Sequence, residues 1–206
     1  MPSPVSHLFY AQHVLPPDEP ADLAAYHRGA VFPDIRYLGV IERARSHRTG
    51  VTVYEIKRET DPWQRGNLVH NWTDEVWSGY WSQLGFDTDE SSHRAHWMAV
   101  KLVEDELLFA DIFDKPGIAA SLAHADDGAI SFGVKGRDVE HWGRIVGSMV
   151  TQAPGPDCRS KLYHELDLGF ELGHLIETQA KVIKADTEWM ERVRGCHQFV
   201  LDQWGQ

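Results

Sequence analysis

The sequence has 206 residues, 31 acidic and 20 basic, giving a formal net charge of −11. An excess of negative charge argues against a nucleic-acid backbone or an anionic lipid surface as the main partner, because both attract basic proteins. Hydrophobic residues make up 42% of the chain, a proportion typical of a soluble globular protein, and the length fits one moderate domain or two small ones.

The N-terminal segment lacks a basic region followed by a long apolar run, so we expect no signal peptide. No stretch approaches the roughly 20 apolar residues of a membrane span. Cys158 and Cys196 are the only cysteines. Two thiols in a chain without a signal are expected to be free, and these features together predict a cytoplasmic protein.

Two short helices are predicted at the start of the chain. Residues 4–15 predict the first, which ends where Pro16 interrupts it, with His7 at the N-terminal end of its buried face. Residues 20–28 predict the second, which stops at Gly29.

Residues 29–39, GAVFPDIRYLG, predict a loop that is apolar almost throughout. Pro33 restrains the chain entering Asp34, and one carboxylate in an apolar loop is typical of a loop folded inward over a site. The alternative is that Asp34 caps the next helix. His47 follows in a loop or helix end, where most histidines are exposed, and residues 51–56 predict a short extended piece.

One helix over residues 60–81 organises the chain, with Thr60 or Asp61 as its cap. Helical spacing places six residues on or near one face: Trp63, Gly66, His70, Asp74, Trp77 and Trp81. His70 and Asp74 stand one turn apart among tryptophans, and burying them unpaired would be costly. Either they bond each other or both bind a divalent metal.

The remaining segments also show helical periodicity. Residues 93–113 predict a strong helix with His96 on its inward stripe and Glu104 at the border; a core histidine is the ordinary interpretation of His96. Further helices are predicted over residues 117–125, 137–150, 159–184 and 186–204. Alternating strand and helix units are absent, so we predict an all-α, single-domain bundle of about seven helices spanning residues 1–206, with the site built from residues 5–110 and the helices after 156 closing the bundle.

Inward positions in four separate segments supply candidate metal ligands: His7, Asp34, His47, His70 and Asp74. Three imidazoles and two carboxylates suit zinc, which accepts nitrogen and oxygen ligands. No cysteine-rich structural site is present, so we expect a catalytic metal with a water at an open position.

Four short patterns occur in order: H-L-x-x-A at His7, G-x-x-F-P-D-I-R-Y at Asp34, the lone His47, and G-x-L-x-H-x-x-x-D-x-x-W at His70 and Asp74. Together they resemble the zinc-dependent phospholipase C family, which is related to the single-strand-specific zinc nucleases of fungi and plants. The resemblance covers roughly residues 5–81 and continues weakly beyond residue 93.

The resemblance implies an all-α fold that holds zinc ions in a cleft between helices. It implies that Asp34, His47, His70 and Asp74 bind one zinc, and that Asp74 bridges to a neighbouring ion bound by His7. It also assigns Asp34 the catalytic role of orienting or deprotonating the attacking water. The implied reaction is hydrolysis of a phosphate ester, with the metal activating water and stabilising the phosphoryl oxygens.

The chain departs from the family pattern after the His-x-x-x-Asp pair. The position six residues after Asp74, where the family places another histidine, is Tyr80. Neither His93 nor His96 is followed by a glutamate four residues on. We therefore predict one or two zinc ions, or another divalent metal, and leave open whether His93, His96 or Glu104 completes a second site.

The predicted function is that of a metal-dependent hydrolase acting on a small-molecule phosphate ester, such as a phosphodiester or a phospholipid-like headgroup, without binding to a nucleic-acid duplex. The alternative is a binding or scaffold module that keeps the fold with a structural or reduced metal site. A different all-α phosphohydrolase, built on an adjacent His-Asp doublet, is disfavoured because the sequence has no such dipeptide.

Overall fold

The computed structural model describes residues 3–14, 16–17, 20–88, 90–125 and 127–205. Within these ranges there are twelve α-helices, nine of them with seven or more residues, two 3-10 segments and no strand. The helices are α1 (Pro4–His13), α2 (Pro20–Val31), α3 (Arg43–Ser46), α4 (Val53–Arg58), α5 (Pro62–Gln83), α6 (Glu90–Leu108), α7 (Lys115–Leu122), α8 (Asp127–Ser131), α9 (Gly136–Thr151), α10 (Pro156–Glu165), α11 (Phe170–Ala185) and α12 (Thr187–Trp204). The 3-10 segments are Phe32–Leu38 and Phe109–Asp111. The all-α, single-domain prediction is confirmed.

Most predicted helices agree with the observed ones to within a few residues. The first helix ends at His13, and Leu15 of the predicted range lies outside the described residues. The extended piece predicted over residues 51–56 is wrong, because Thr52 and Glu55 form a reciprocal cap that starts α4. This cap outweighs the weak alternation of the side chains.

The helix predicted over residues 159–184 is in fact two helices, α10 and α11. Between them Asp167 and Gly169 have φ angles of 48° and 73°. A left-handed backbone conformation cannot continue a right-handed helix, so the chain reverses there. The prediction missed the break because the hydrophobic period continues across it.

The loop predicted over residues 29–39 is the end of α2 followed by the 3-10 segment Phe32–Leu38. Pro33 stands at the start of the 3-10 segment, and Gly39, with a φ of 69°, ends it. Phe32 to Ile35 are buried, and the Trp142 indole donates a hydrogen bond of 2.8 Å to the Val31 carbonyl. The segment is therefore folded inward as predicted, and it carries Asp34 into the core.

Helices α2 and α5 touch at their backbones. A Cβ on Gly29 would lie 2.0 Å from the Trp63 carbonyl oxygen, and one on Gly66 would lie 2.0 Å from the Tyr26 carbonyl oxygen. Only glycine fits at either position, since real side-chain carbons do not approach backbone atoms this closely. The glycine crossing, as we call this Gly29–Gly66 contact, brings the end of α2 against the inner face of α5.

The inner face of α5 is the one predicted. Asp61 caps the helix by accepting a hydrogen bond of 2.7 Å from the Gln64 amide. The six residues predicted to point inward are all buried. Trp77 and Trp81 each pack edge-on against Trp97 of α6, so the tryptophans join α5 and α6 around one core.

Two carboxylates of α6 hold α1 in place. Asp105 accepts hydrogen bonds from the Ser3 hydroxyl, the Ser6 hydroxyl and the Ser6 amide. Glu104 accepts one from the Tyr10 hydroxyl at 2.8 Å. On the far side, α11 packs on α6, and α12 packs on α5 and α6. No helix in the described part of the chain is both long enough and apolar enough to cross a membrane.

Candidate metal centre

All five predicted site residues meet at one place, which we call the histidine–aspartate centre. His7 comes from α1, Asp34 from the first 3-10 segment, His47 from the residue that ends α3, and His70 and Asp74 from α5. The ligand atoms of His7, His70 and Asp74 all lie within 4.8 Å of one another, as do those of Asp34, His47 and His70. The role of these residues as metal ligands stays a prediction.

The centre is buried. Asp34 and His70 have no exposed surface, and His7 and Asp74 are also buried. The His47 side chain is 6% exposed. An arrangement of this kind excludes bulk water, and therefore strengthens every electrostatic interaction within it.

A backbone carbonyl sets the tautomer of His70. The Nδ1 atom of His70 lies 2.7 Å from the Ala30 carbonyl oxygen, which can only accept a hydrogen bond. The proton is therefore on Nδ1, and Nε2 presents a lone pair to the centre. Metal-binding histidines are oriented by a contact of this kind. The glycine crossing makes it possible, because it brings Ala30 against α5.

His47 is held by its neighbours in the chain. Its Nδ1 lies 2.9 Å from the Ser46 hydroxyl. The next amide, that of Arg48, donates to the Asn71 side chain at 2.8 Å, and the Gly50 amide donates to Glu75 at 2.6 Å. Both acceptors belong to α5, so this helix anchors the loop that aims His47 Nε2 at the centre.

The spacing of the polar atoms fits a metal ion. His47 Nε2 lies 3.3 Å from His70 Nε2 and 3.4 Å from Asp74 Oδ2. Longer distances of 3.9 Å separate His70 Nε2 from Asp74 Oδ2, and His47 Nε2 from Asp34 Oδ1. Two zinc ligands at about 2.0–2.1 Å under a tetrahedral angle lie about 3.3–3.4 Å apart. The two shorter distances therefore match the spacing that one zinc ion requires, and the two longer ones exceed it by about 0.5 Å.

Several buried atoms of the centre find no hydrogen-bond partner among the described residues. They are both ring nitrogens of His7, both oxygens of Asp34, and Oδ1 of Asp74. His7 Nε2 and Asp74 Oδ1 lie 3.3 Å apart, but not in hydrogen-bond geometry. Buried polar groups are almost always bonded, so this concentration of unsatisfied atoms indicates a missing partner.

Burial keeps two imidazoles of the centre, those of His47 and His70, neutral. It lowers the pKa of His47 to about 3 and that of His70 well below its ordinary value. Burial also acts to raise the pKa of Asp74, but His7 and His70 beside it outweigh this effect and hold the pKa well below the ordinary value. Neutral imidazoles and an ionised carboxylate are the protonation states in which these groups bind metals.

Asp34 has the opposite shift. Burial raises the pKa of this carboxyl, although the Arg36 guanidinium beside it acts to lower the pKa. Arg36 Nε lies 3.8 Å from Asp34 Oδ1. The two carboxyls of the centre are therefore pushed apart in proton affinity, a pattern typical of sites that transfer protons.

A second metal position is suggested at His7. The His7 ring stacks on His70, with centroids 3.6 Å apart and planes inclined by 16°. Its Nε2 faces Asp74 Oδ1, while Asp74 Oδ2 faces His47 and His70. Asp74 thus has one oxygen directed at each position, as a bridging carboxylate would.

The three other candidates for a second site make other contacts or are exposed. Glu104 is buried, and accepts hydrogen bonds from the Tyr10 hydroxyl and from the Trp77 indole at 3.2 Å. His96 is half-buried, with Nδ1 3.4 Å from the Gln179 side-chain oxygen. His93 is exposed. None of the three is in the two groups of ligand atoms that the described residues form.

Sequence reasoning missed the basic residues around the centre. Arg43 Nη2 lies 3.4 Å from Asp74 Oδ2, and Arg36 lies beside Asp34. The sequence feature that could have indicated Arg36 is its position two residues after Asp34 in an otherwise apolar segment. A cavity of about 420 Å³ lies apart from the centre, against α10 and α11.

No protein-family model matches the chain, and no curated protein and no solved structure is significantly similar to it.

Proposed function

We propose that this protein is a metal-dependent hydrolase of phosphate esters that binds one or two zinc ions in the histidine–aspartate centre. The observation that carries the proposal is the convergence of three imidazoles and two carboxylates in one buried place, where His47 Nε2 lies at tetrahedral ligand spacing from His70 Nε2 and Asp74 Oδ2. The resemblance of residues 5–81 to the zinc-dependent phospholipase C family supports the same reaction class.

The ligand atoms divide into two sets. His47 Nε2, His70 Nε2, Asp74 Oδ2 and Asp34 Oδ1 would hold the first ion, and His7 Nε2 with Asp74 Oδ1 would contribute to a second. Bound zinc supplies a water of lowered pKa and stabilises negative charge on the phosphoryl oxygens.

Asp34 is the candidate proton acceptor. Neither of its oxygens has a hydrogen-bond partner among the described residues, so Oδ2 would be open to a proton from water while Oδ1 faces the first ion. In the metal-free protein, burial raises the pKa of this carboxyl. Arg36 stabilises the ionised form and so holds Asp34 ready to accept a proton.

One observation favours a second candidate, a non-catalytic module with a structural metal. The side chains of the centre are nearly closed to solvent, and structural zinc sites are closed whereas catalytic sites keep an open position. In this case zinc would bind tightly and no phosphate ester would be cleaved.

Metal analysis distinguishes these candidates. We would measure zinc by plasma mass spectrometry on protein purified without a histidine tag or chelator, and assay a panel of phosphomonoesters and phosphodiesters. We expect one to two zinc ions per chain. His70→Ala and Asp74→Ala should lose both the metal and the activity while helix content by circular dichroism is kept.

His164→Ala, at an exposed histidine of α10, is the matched control and should keep both properties. Full zinc content in His70→Ala would show that the ligands are misassigned. Tight zinc without hydrolysis of any ester would support the structural candidate. A protein that takes up no zinc even when it is added would contradict both.

A further inference from the structure

A groove between the consecutive helices α9 and α10 has the size of a small ligand. Its volume is about 290 Å³, and none of the five residues of the histidine–aspartate centre lines it. A water molecule occupies about 30 Å³ in the liquid, so the groove has room for roughly ten heavy atoms. Pockets that hold drug-sized ligands begin at about this volume, so the groove fits a small organic molecule.

The floor of the groove is apolar. Ile145 and Met149 of α9 and Leu162 of α10 line it. These three residues keep 6%, 8% and 9% of their surface exposed, so part of each side chain is open to the groove. The half-buried Cys158 thiol lines the groove as well. Such a floor favours the apolar part of a ligand, because covering it removes apolar surface from water.

Two basic side chains also line the groove, one from each helix. Arg144 of α9 makes no hydrogen bond or ion pair with any described residue. Lys161 of α10 has one long contact, in which Nζ lies 3.4 Å from Gln152 Oε1. The acidic residue in the lining, Glu165, has its Oε2 3.5 Å from His141 Nε2. Its charge is therefore turned to His141, and the two cations keep theirs for the groove.

Carboxylates stand within one helical turn of both cations, but the cations do not bond them. Glu140 precedes Arg144 by four residues, a spacing that favours an ion pair on a helix. Asp157 precedes Lys161 by four residues, and Glu165 follows it by four. In the part of the chain that the structure describes, none of these carboxylates is in an ion pair with either cation. A guanidinium and an ammonium left beside one groove give it a locally positive potential.

We infer that this groove binds a small carboxylate that carries an apolar tail. Arg144 and Lys161 would hold the carboxylate through charge-assisted hydrogen bonds, and the floor would cover the tail. A carboxylate is favoured over a phosphate group, because a chain with a net charge of −11 repels a second negative charge more strongly. This site does not depend on the hydrolase proposal, since it shares no residue with the centre.

Octanoate matches the groove in size and charge, and is the probe for the site. We would measure its binding by isothermal titration calorimetry at neutral pH, on zinc-loaded protein and on protein treated with chelator. We expect one octanoate per chain in both forms, and no binding of octylammonium, which has the same tail and the opposite charge. Equal binding of the two would show that the groove does not select an anion. Tighter binding of octyl phosphate than of octanoate would overturn the assignment of a carboxylate.

Substitutions test the two cations and the space between the helices. Arg144→Met and Lys161→Met, both at exposed positions, should each weaken octanoate binding roughly threefold to fivefold. Arg194→Met and Lys181→Met, at exposed cations of α12 and α11, are the matched controls and should change nothing. Ser148→Leu places a larger side chain in the groove and should abolish binding. Circular dichroism establishes that each variant is folded, and unchanged affinity in all three groove variants would rule out the site.

Cys158 reports on the groove directly. It is half-buried in the lining, whereas Cys196 is only 1% exposed, so a small alkylating reagent should modify Cys158 first. We expect octanoate to slow this reaction, followed by mass spectrometry, equally with and without zinc. Iodoacetate is an anion and iodoacetamide is neutral, so the ratio of their rates should fall roughly threefold in Arg144→Met.

Two results of the labelling experiment would overturn the inference. If octanoate binds but leaves the rate of Cys158 alkylation unchanged, it binds elsewhere on the protein. If alkylation slows as the protein concentration is raised, a second copy of the chain covers the groove.

Discussion

Two clusters of charged groups in this protein differ in how completely they are bonded. In the arginine network, Arg159 donates to both oxygens of Glu177, at 2.6 and 2.9 Å, and to Glu106. Lys184 also donates to Glu106, and the Tyr163 hydroxyl donates to Glu177. In the histidine–aspartate centre, by contrast, five buried nitrogen and oxygen atoms have no hydrogen-bond partner among the described residues.

The difference indicates a structural role for the arginine network and accords with the binding role proposed for the centre. A network whose members bond one another needs nothing further, and it serves to join α6, α10 and α11. A buried cluster that cannot bond itself reduces stability unless something else binds there. The two clusters are therefore expected to affect stability differently when a residue is substituted, when metal is added and when the pH is changed.

The largest effect is expected in the arginine network. Arg159→Met removes a buried cation that bonds two carboxylates, and should lower the free energy of unfolding by about 2–3 kcal/mol, since both glutamates retain some contact with water. Urea denaturation measures this value. Arg137→Met, at a side chain that is 77% exposed and near Asp138, should cost less than about 0.5 kcal/mol. A loss from Arg159→Met no greater than that of Arg137→Met would contradict the structural role of the network.

An effect of similar size is expected when zinc is added to metal-free protein. Zinc at a hundredfold excess over its dissociation constant should raise the free energy of unfolding by about 2.7 kcal/mol, because the metal binds only the folded chain. Arg159→Met should gain the same amount, whereas His70→Ala should gain nothing. An equal gain in His70→Ala would place the zinc outside the histidine–aspartate centre.

The third prediction is the change in the free energy of unfolding with pH, which is the smallest of the three when taken over one pH unit. His47 has an ordinary pKa of 6.5 when the chain is unfolded, and burial lowers the pKa to about 3 in the folded protein. Between these values the unfolded chain binds the extra proton, so the free energy of unfolding of the metal-free protein should fall as pH decreases from 6.5. One such group contributes about 1.4 kcal/mol per pH unit.

His47→Gln should reduce this slope by up to that amount between pH 6.5 and 4.5, whereas His164→Gln, at an exposed position, should leave it unchanged. The pKa of Glu177 is lowered mainly because Arg159 and Tyr163 outweigh burial, so the arginine network loses stability only below about pH 4.5. The two clusters therefore respond in different pH ranges. An unchanged slope in His47→Gln would mean that this imidazole is not held neutral in the folded protein.

Local periodicity was sufficient to predict the helical fold and the inner face of α5. His70 and Asp74 could be found because both stand in a stripe of tryptophans, where polar residues are unusual. Asp34 could be found because it interrupts an apolar segment. In each case the local sequence contained both the apolar pattern that indicates burial and the polar residue that departs from this pattern.

The sequence could not predict the contacts made between distant segments. The Ala30 side chain has no polar group, yet the Ala30 carbonyl orients His70, which lies 40 positions away in the sequence. Lys101 looks like an ordinary helical lysine until the first 3-10 segment is packed against it. The break at Asp167 and Gly169 was missed for a related reason, since backbone conformation need not interrupt the hydrophobic pattern.

The glycine crossing also limits how this chain can vary. Gly66, His70 and Asp74 follow one another at intervals of four residues, so helix geometry places His70 and Asp74 about 6 and 12 Å along the axis from the crossing. Inserting one residue after Gly66 would turn both side chains by about 100° and separate His70 from the Ala30 carbonyl. Insertions should instead be tolerated at the open turns around Gly39, Gly85 and Gly169, where nothing lies within 4 Å of an added side chain. The spacing of Gly66, His70 and Asp74 along α5 must therefore be kept if His70 and Asp74 are to reach the centre.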